Sequence, residues 1–201
     1  SSLVICGNTF LANHYEKYAN VKIVPTGVDT ERFYFKQDEG VSQFYIGWSG
    51  SSSGFSYLYD IEDSLNTVLQ LREHVKLLIV SDREPVFKKI DKSKVNFIKW
   101  SSESEVCDLH KFKIGIMPLK DDLWSRGKCS FKMLTYMSAG IPVVVSPIGM
   151  NVEVLNKPDS GLFADSIVEW VDCLLELIDN KELRRKYALN ARLLIENKYS
   201  S

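Results

Sequence analysis

At 201 residues the chain has the length of one large domain or two small ones, enough to bury a core without disulfide or metal staples. A content of 45% hydrophobic, 25% charged and 11% aromatic residues excludes a disordered or fibrous chain. Lys plus Arg number 25 against 26 Asp plus Glu, and a net charge of −1 argues against a surface built for nucleic acid or an anionic membrane.

Val4 to Cys6 and Val21 to Val24 read as short strands, followed by a Thr26-Gly27 turn and a polar linker from Lys36 to Ser42. From Phe44 onward strand and helix signals alternate. Phe44–Trp48, Lys76–Val80, Val95–Lys99, Ile114–Pro118 and Pro142–Ser146 are near-continuous apolar runs, as expected of strands covered on both faces. A weaker sixth run covers Gly161–Phe163. Between them Ile61, Leu65, Val68 and Leu69 share a helical stripe, and Ser102 with Glu105 predicts a capping box ahead of Val106 and Leu109. Phe131, Leu134 and Met137 mark a helix ended by Gly140 and Pro142. Two amphipathic helices close the chain, one carrying Ile167 to Ile178 and one Leu183 to Ile195; the Lys181–Lys186 cluster reads as an exposed face. This order predicts an α/β fold with a Rossmann-like, doubly wound parallel sheet. Its ligands are expected at the carboxyl ends of the strands.

Cys6, Cys107, Cys129 and Cys173 form no C-x-x-C pair, which predicts reduced thiols and a cytoplasmic chain. No window reaches the roughly 20 apolar residues of a bilayer span, and Leu3–Cys6 is too short for a signal peptide. The first residue is Ser, so the chain reads as part of a longer protein.

Three strand-end segments carry candidate chemistry. Gly47-Trp48-Ser49-Gly50-Ser51-Ser52-Ser53-Gly54 is a hydroxyl-rich turn before a helix, where backbone N–H groups can close on a phosphate; it matches no dinucleotide fingerprint and no P-loop. In Lys120 to Lys132 the cations Arg126, Lys128 and Lys132 cluster at a helix start, where they oppose the helix dipole unless an anion sits between them; pairing with Asp121 and Asp122 is the structural alternative. The third segment, Ser146 to Glu153, contains Gly149, Met150 and Asn151 at another strand-to-helix turn. His14, His74 and His110 are scattered; Cys107 and His110 share a helix face, read as a buried thiol beside a surface imidazole and not as a metal site.

Together these segments resemble the nucleotide-sugar-binding C-terminal domain of family 4 glycosyltransferases, which have the two-domain GT-B fold. The stretch from Ile114 to Val154, IGIMPLKDDLWSRGKCSFKMLTYMSAGIPVVVSPIGMNVEV, carries most of the likeness. Val24 through Phe33, Ile46 to Ser51 and Arg184 through Ser200 are similar to flanking parts of that domain. The resemblance implies that residues 1–40 are the end of an acceptor domain with its linker and that 41–201 form the donor domain.

It further implies that Gly50, Ser51, Arg126, Lys128 and Lys132 face a donor diphosphate, with Arg126, Lys128 and Lys132 in the catalytic role, and that Gly149, Met150 and Asn151 border the sugar and phosphates. Two glutamates eight positions apart in many members are here Gly127 and Thr135; Thr135 retains a hydroxyl for the ribose but no charge. The implied reaction moves a sugar, with retention, from a nucleoside diphosphate sugar to an acceptor hydroxyl. No metal or other cofactor is expected where cations hold the leaving group. The implied partners are the donor and the missing acceptor domain, through which any membrane contact would run. A non-catalytic sugar-nucleotide-binding module is the alternative. A phosphorelay receiver would need acidic residues where Gly47, Trp48 and Ser49 stand, and the paired acidic and His residues of sugar-nucleotide epimerases are missing.

Overall fold

The computed structural model describes residues 3–37, 43–155 and 159–201. The chain opens with β1 (Val4–Cys6), α1 (Thr9–Tyr15) and β2 (Val21–Ile23), and β1 and β2 pair in parallel as a sheet of their own. Residues 38–42 of the expected linker, with the expected boundary at 40/41, lie outside the described residues. The rest alternates as the apolar runs require: β3 (Phe44–Ser49), α2 (Phe55–Asp60), α3 (Glu62–Leu71), β4 (Val75–Ser81), β5 (Val95–Lys99), α4 (Glu105–Leu109) and β6 (Phe112–Met117). After these come α5 (Leu123–Arg126), α6 (Phe131–Ser138), β7 (Val143–Val145), α7 (Met150–Val154), β8 (Leu162–Phe163), α8 (Ile167–Asp179) and α9 (Lys181–Lys198).

The second sheet has six parallel strands in the order β5-β4-β3-β6-β7-β8, a Rossmann-like arrangement. In β4, Leu77 and Ile79 face a core with α3 and α8, while Leu78 and Val80 face a core with α6 and α9. Burial on both faces explains why the strand is apolar at every step instead of at alternate ones. The chain winds from β3 out to β5 and then returns to the far side of β3 at β6. The crevice at the carboxyl ends of β3 and β6 is therefore where a ligand reaches several strand ends at once.

That crevice depends on two glycines. Gly47 of β3 and Gly115 of β6 are register partners, and a Cβ on Gly47 would lie 1.9 Å from the Phe112 ring while one on Gly115 would lie 2.4 Å from the Tyr136 ring. Phe112 and Tyr136 then meet edge to face, 5.7 Å apart. An irregularity in the β3–β6 register between Tyr45 and Ile46 leaves Lys113 as an extra residue. It keeps Phe112 on the same face as Gly115. α6 ends as the sequence indicates: Ile141 N–H reaches the Tyr136 carbonyl and Gly140 N–H the Met137 carbonyl, with Gly140 at φ 77°.

Two local expectations are corrected. Ser102 and Glu105 form no capping box, because α4 starts two residues too late, with Ser104 at its N-cap: Ser101 Oγ accepts the Ser104 N–H, and Glu105 faces Arg32 and Trp100. The capping box of this chain is at Ser166 and Glu169. Within the Lys181–Lys186 cluster, Arg184 is drawn inward to the carbonyls of Leu177 and Ile178.

Because Phe112 fills the space above Gly47, Gly47→Ala is expected to cost about 3 kcal/mol through overpacking, read as a lower denaturation midpoint in urea. An unchanged midpoint would show that the ring can move aside.

Candidate functional site

Trp48 is the floor of the site. It is the last inward-facing residue of β3, is 1% exposed and packs on Phe55 with the rings tilted at 53° and 5.6 Å apart. Gly50 and Gly54 leave room for that indole: a Cβ at either would come within 3.1 Å of the ring. The glycines of this turn thus serve packing first. Its N–H groups are also partly committed, Gly50 to the Val80 carbonyl and Ser52 to Asp82 Oδ1 at 2.5 Å, with Ser52 Oγ on Oδ2 at 2.9 Å. These bonds, the Ser52 N–H foremost, hold the Asp82 carboxyl at about 2, well below its ordinary value. Asp82, a carboxylate of the chain itself, thus holds the Ser52 end of this turn.

The free seat is at α6. Its first turn contains no acidic residue, and Ser130, at φ 52°, gives α6 no side-chain cap because its Oγ donates to Asn151 Oδ1 instead. The opening N–H groups of α6 therefore keep their partial positive charge. Lys132 reaches over the Trp48 ring, its Nζ 3.7 Å from the centroid and 2.8 Å from where a Gly50 Cβ would stand. The ring face offers it some compensation. Among the described residues no carboxylate pairs with it, and burial, with added repulsion from Lys128, pushes its ammonium well below the ordinary lysine value. Lys128 Nζ lies 4.1 Å above the Tyr57 ring.

A cavity of about 340 Å³ opens beside Lys132, walled by Gly50, Ser51, Asp82, Trp100, Glu105 and Thr135 among others. Thr135 Oγ1 donates to the Lys132 carbonyl at 2.8 Å, so its proton is committed and its lone pairs remain. Glu105 takes the Trp100 indole N–H at 3.1 Å and Arg32 at 2.8 Å, fixing the indole in the cavity wall. Tyr136, whose phenol is raised by burial and stays protonated, accepts the Ser49 N–H at 2.6 Å.

Of the residues singled out from sequence, Gly50, Ser51, Lys132 and Thr135 meet at this cavity. Arg126 does not join them. It ends α5 and is held in a two-point pair by Asp121, at 2.6 and 2.8 Å. Asp122 caps α5 through the Ser125 N–H. Gly149, at φ 54°, sits against the Arg126 backbone, where a Cβ would be 2.9 Å from the carbonyl oxygen. The side chains of Met150 and Asn151 turn inward, Met150 into the core and Asn151 to Ser130 Oγ and the Ser146 carbonyl, so they brace the cationic loop from behind. Gly127 is the C-cap of α5. The expected pair of buried thiol and surface imidazole is reversed: Cys107 is exposed, and His110 is half-buried on the Tyr34 carbonyl with its imidazole lowered by burial. Sequence reasoning missed Asp82, Tyr57 and Tyr136. Asp82 follows directly on the β4 run, a strand end the carboxyl-end rule covers, whereas the two tyrosines carry no sequence signal of their role. Among the described residues no group of three or more His, Cys, Asp or Glu could hold a metal ion, and no helix is long and apolar enough to cross a membrane.

The family model described as Glycosyl transferases group 1 matches residues 46–180. No curated protein sequence matches the chain. Among solved structures, the chain resembles a sucrose-phosphate synthase from Thermosynechococcus elongatus at 13% identity and TM-score 0.73, with 98% of this chain and 54% of that one covered. It resembles the C-terminal domain of a group 1 glycosyl transferase family protein (LpcC) from Francisella tularensis at 19% identity and TM-score 0.68, covering 87% of this chain and 99% of that domain. The Anabaena protein HepE, solved with UDP and glucose, matches at 16% identity and TM-score 0.77 over 100% of this chain and 60% of HepE. The chain thus spans little more than half the length of the sucrose-phosphate synthase and of HepE but nearly all of the LpcC domain, and its fold is that of GT-B glycosyltransferase C-terminal domains.

The unpaired Lys132 ammonium makes a prediction for the ligand-free protein. With its folded value below the ordinary 10.5, the unfolded chain binds more protons between the two values, so stability rises with pH across that window. Lys132→Met is expected to raise stability at neutral pH by on the order of 1 kcal/mol and to flatten that rise, measured by thermal melts in a pH series. A destabilised variant with an unaltered pH slope would show that Lys132 is compensated already.

Proposed function

The chain belongs to the group 1 glycosyl transferases, and on that premise we propose that it is the donor half of a family 4, GT-B glycosyltransferase that binds a nucleoside diphosphate sugar. The observation that carries the reading is the Lys132 ammonium, desolvated, without a carboxylate partner among the described residues and set at the uncapped start of α6. A diphosphate placed there satisfies the opening N–H groups of α6 and separates Lys132 from Lys128 by negative charge. Both costs of the ligand-free site are then relieved by one ligand. As the sugar–oxygen bond breaks, charge grows on the leaving diphosphate, and these same fixed groups stabilise it. No metal is needed for that step. Arg126 can contribute only by exchanging Asp121 for the ligand.

The transfer goes with retention to an acceptor hydroxyl held by an N-terminal acceptor domain, of which residues 1–40 are the last part. That HepE was solved with UDP and glucose supports a sugar nucleotide as the donor. A binding module without chemistry would keep the donor affinity and lack the transfer, which separates the second reading from the first.

Calorimetry with UDP, GDP and ADP tests the donor seat. Lys132→Ala and Lys128→Ala are each expected to weaken binding about ten- to a hundredfold, since a hydrogen bond to a charged group is worth roughly 1.5–3 kcal/mol. Affinity should fall with added salt. Binding should also take up a proton and weaken as pH rises above the depressed Lys132 value, because the anion favours the charged ammonium. Unchanged affinity in both variants sinks the assignment.

The chain by itself is expected to bind donor without transferring sugar, because holding donor and acceptor together supplies much of the rate. Rapid transfer to an added acceptor by these 201 residues alone would overturn the division of labour between the two halves.

A further inference from the structure

One buried polar side chain has a bond pattern that its local role does not explain. Asn8 is 1% exposed, in the turn between β1 and α1. Its Oδ1 accepts the Leu11 N–H at 2.9 Å and so caps α1. A cap needs only an acceptor, and Ser or Asp would serve α1 as well as Asn. Yet the Asn8 amide also donates from Nδ2 to two carbonyls of the cationic loop, Arg126 at 3.3 Å and Lys128 at 3.1 Å. The amide cannot be turned over, because Oδ1 would then face two carbonyl oxygens. The same turn touches the loop twice more. Gly7 admits the Cys129 thiol where a Cβ would stand 2.4 Å away, and a Leu11 methyl lies 3.6 Å from the Cβ position of Gly127.

We infer that Asn8 is a positioning residue for donor binding: its amide fixes the Arg126–Lys128 backbone so that Lys128 stands beside Lys132, and it thereby couples the β1–α1 unit to the anion seat. The inference rests on the reading of Lys128 and Lys132 as that seat. A shift of β1–α1 then reaches the seat through two hydrogen bonds, without any part of that unit touching the ligand.

Asn8→Ser tests this, because it retains a cap acceptor for α1 and is too short to reach the loop; Asn8→Asp, which keeps the cap and loses the donors, gives the same comparison should the first variant fail to fold. Two quantities are read: hydrogen exchange at the Gly127 and Lys128 amides, which bond to the Leu123 and Ser125 carbonyls, and affinity for UDP, GDP and ADP. Exchange at these two amides is expected to rise about tenfold with α1 amides unchanged, and affinity to fall about tenfold. In a Lys128→Ala background the affinity loss from Asn8→Ser should vanish, since the two act through one contact. Unchanged loop exchange, or an affinity loss that persists in full without Lys128, overturns the role of Asn8. Faster loop exchange with undiminished nucleotide affinity overturns instead the assignment of Lys128 to the donor.

Discussion

The hydrogen bond from Ser49 N–H to the Tyr136 hydroxyl, 2.6 Å long, connects the end of β3 to the middle of α6 across the point where the sheet order reverses. It exists only because Gly47 and Gly115 face each other without side chains, letting the Phe112 and Tyr136 rings lie flat on the strands. With Tyr136 pinned, the start of α6 one turn earlier is pinned too, and Lys132 arrives over the Trp48 ring. A side chain at either glycine would push α6 off the sheet and carry the ammonium away from Gly50. The geometry of the seat is thus set by what two strands lack.

On the proposed reading, that seat is unfavourable until a diphosphate fills it. Lys132 has given up water and gained an aromatic face, Lys128 stands near enough to repel it, and α6 begins with its N–H groups uncapped. A chain selected for stability alone would place an acid at the first turn of α6. It does so elsewhere: Asp122 caps α5, Glu169 completes the box at α8, and Asp82 takes the Ser52 N–H at the neighbouring turn. The contrast between these helix starts and α6 is what the proposed placement of the diphosphate rests on, together with the desolvated Lys132. Lost stability at such a position is the usual mark of a site kept for binding.

The six strands of the main sheet and the longer helices were legible because each β run is apolar on both faces and each helix stripe has its own period, so that burial dictated the pattern directly. Lys128 and Lys132 stand out in the sequence as cations where a helix dipole disfavours them, and the structure sets Lys132 in the first turn of α6. The packing role of Gly50 was not legible, because glycine close to a phosphate and glycine beside an indole look alike in sequence. Arg126 could not be separated from Lys132 by sequence either: both lie within one basic stretch, and only α5, a single turn long, aims Arg126 back at Asp121. Asn8 and Tyr136 act on residues 118 and 87 positions away, and no local pattern records such partners.

The segment before the main sheet is tied to it in two unlike ways. Residues 28–33 are held tightly: Val28 and Phe33 are core residues, and Arg192 of α9 donates to the carbonyls of Thr30, Phe33 and Ser138. Val28 also bridges to Ser200. The β1–α1–β2 unit, by contrast, reaches the loop between α5 and α6 through the Asn8 amide and through Gly7 and Leu11 against Cys129 and Gly127, and α7 through Thr9 on Glu153. Breaking the first set exposes apolar core, whereas loosening the second exchanges a few polar bonds with water at small net cost. The β1–α1–β2 unit is thus the part of this chain held to the main sheet chiefly by polar contacts. Its polar contacts fall on the loop that carries Lys128 and on the helix that backs it, so on the proposed reading the attachment of this unit and the binding of donor depend on the same few hydrogen bonds.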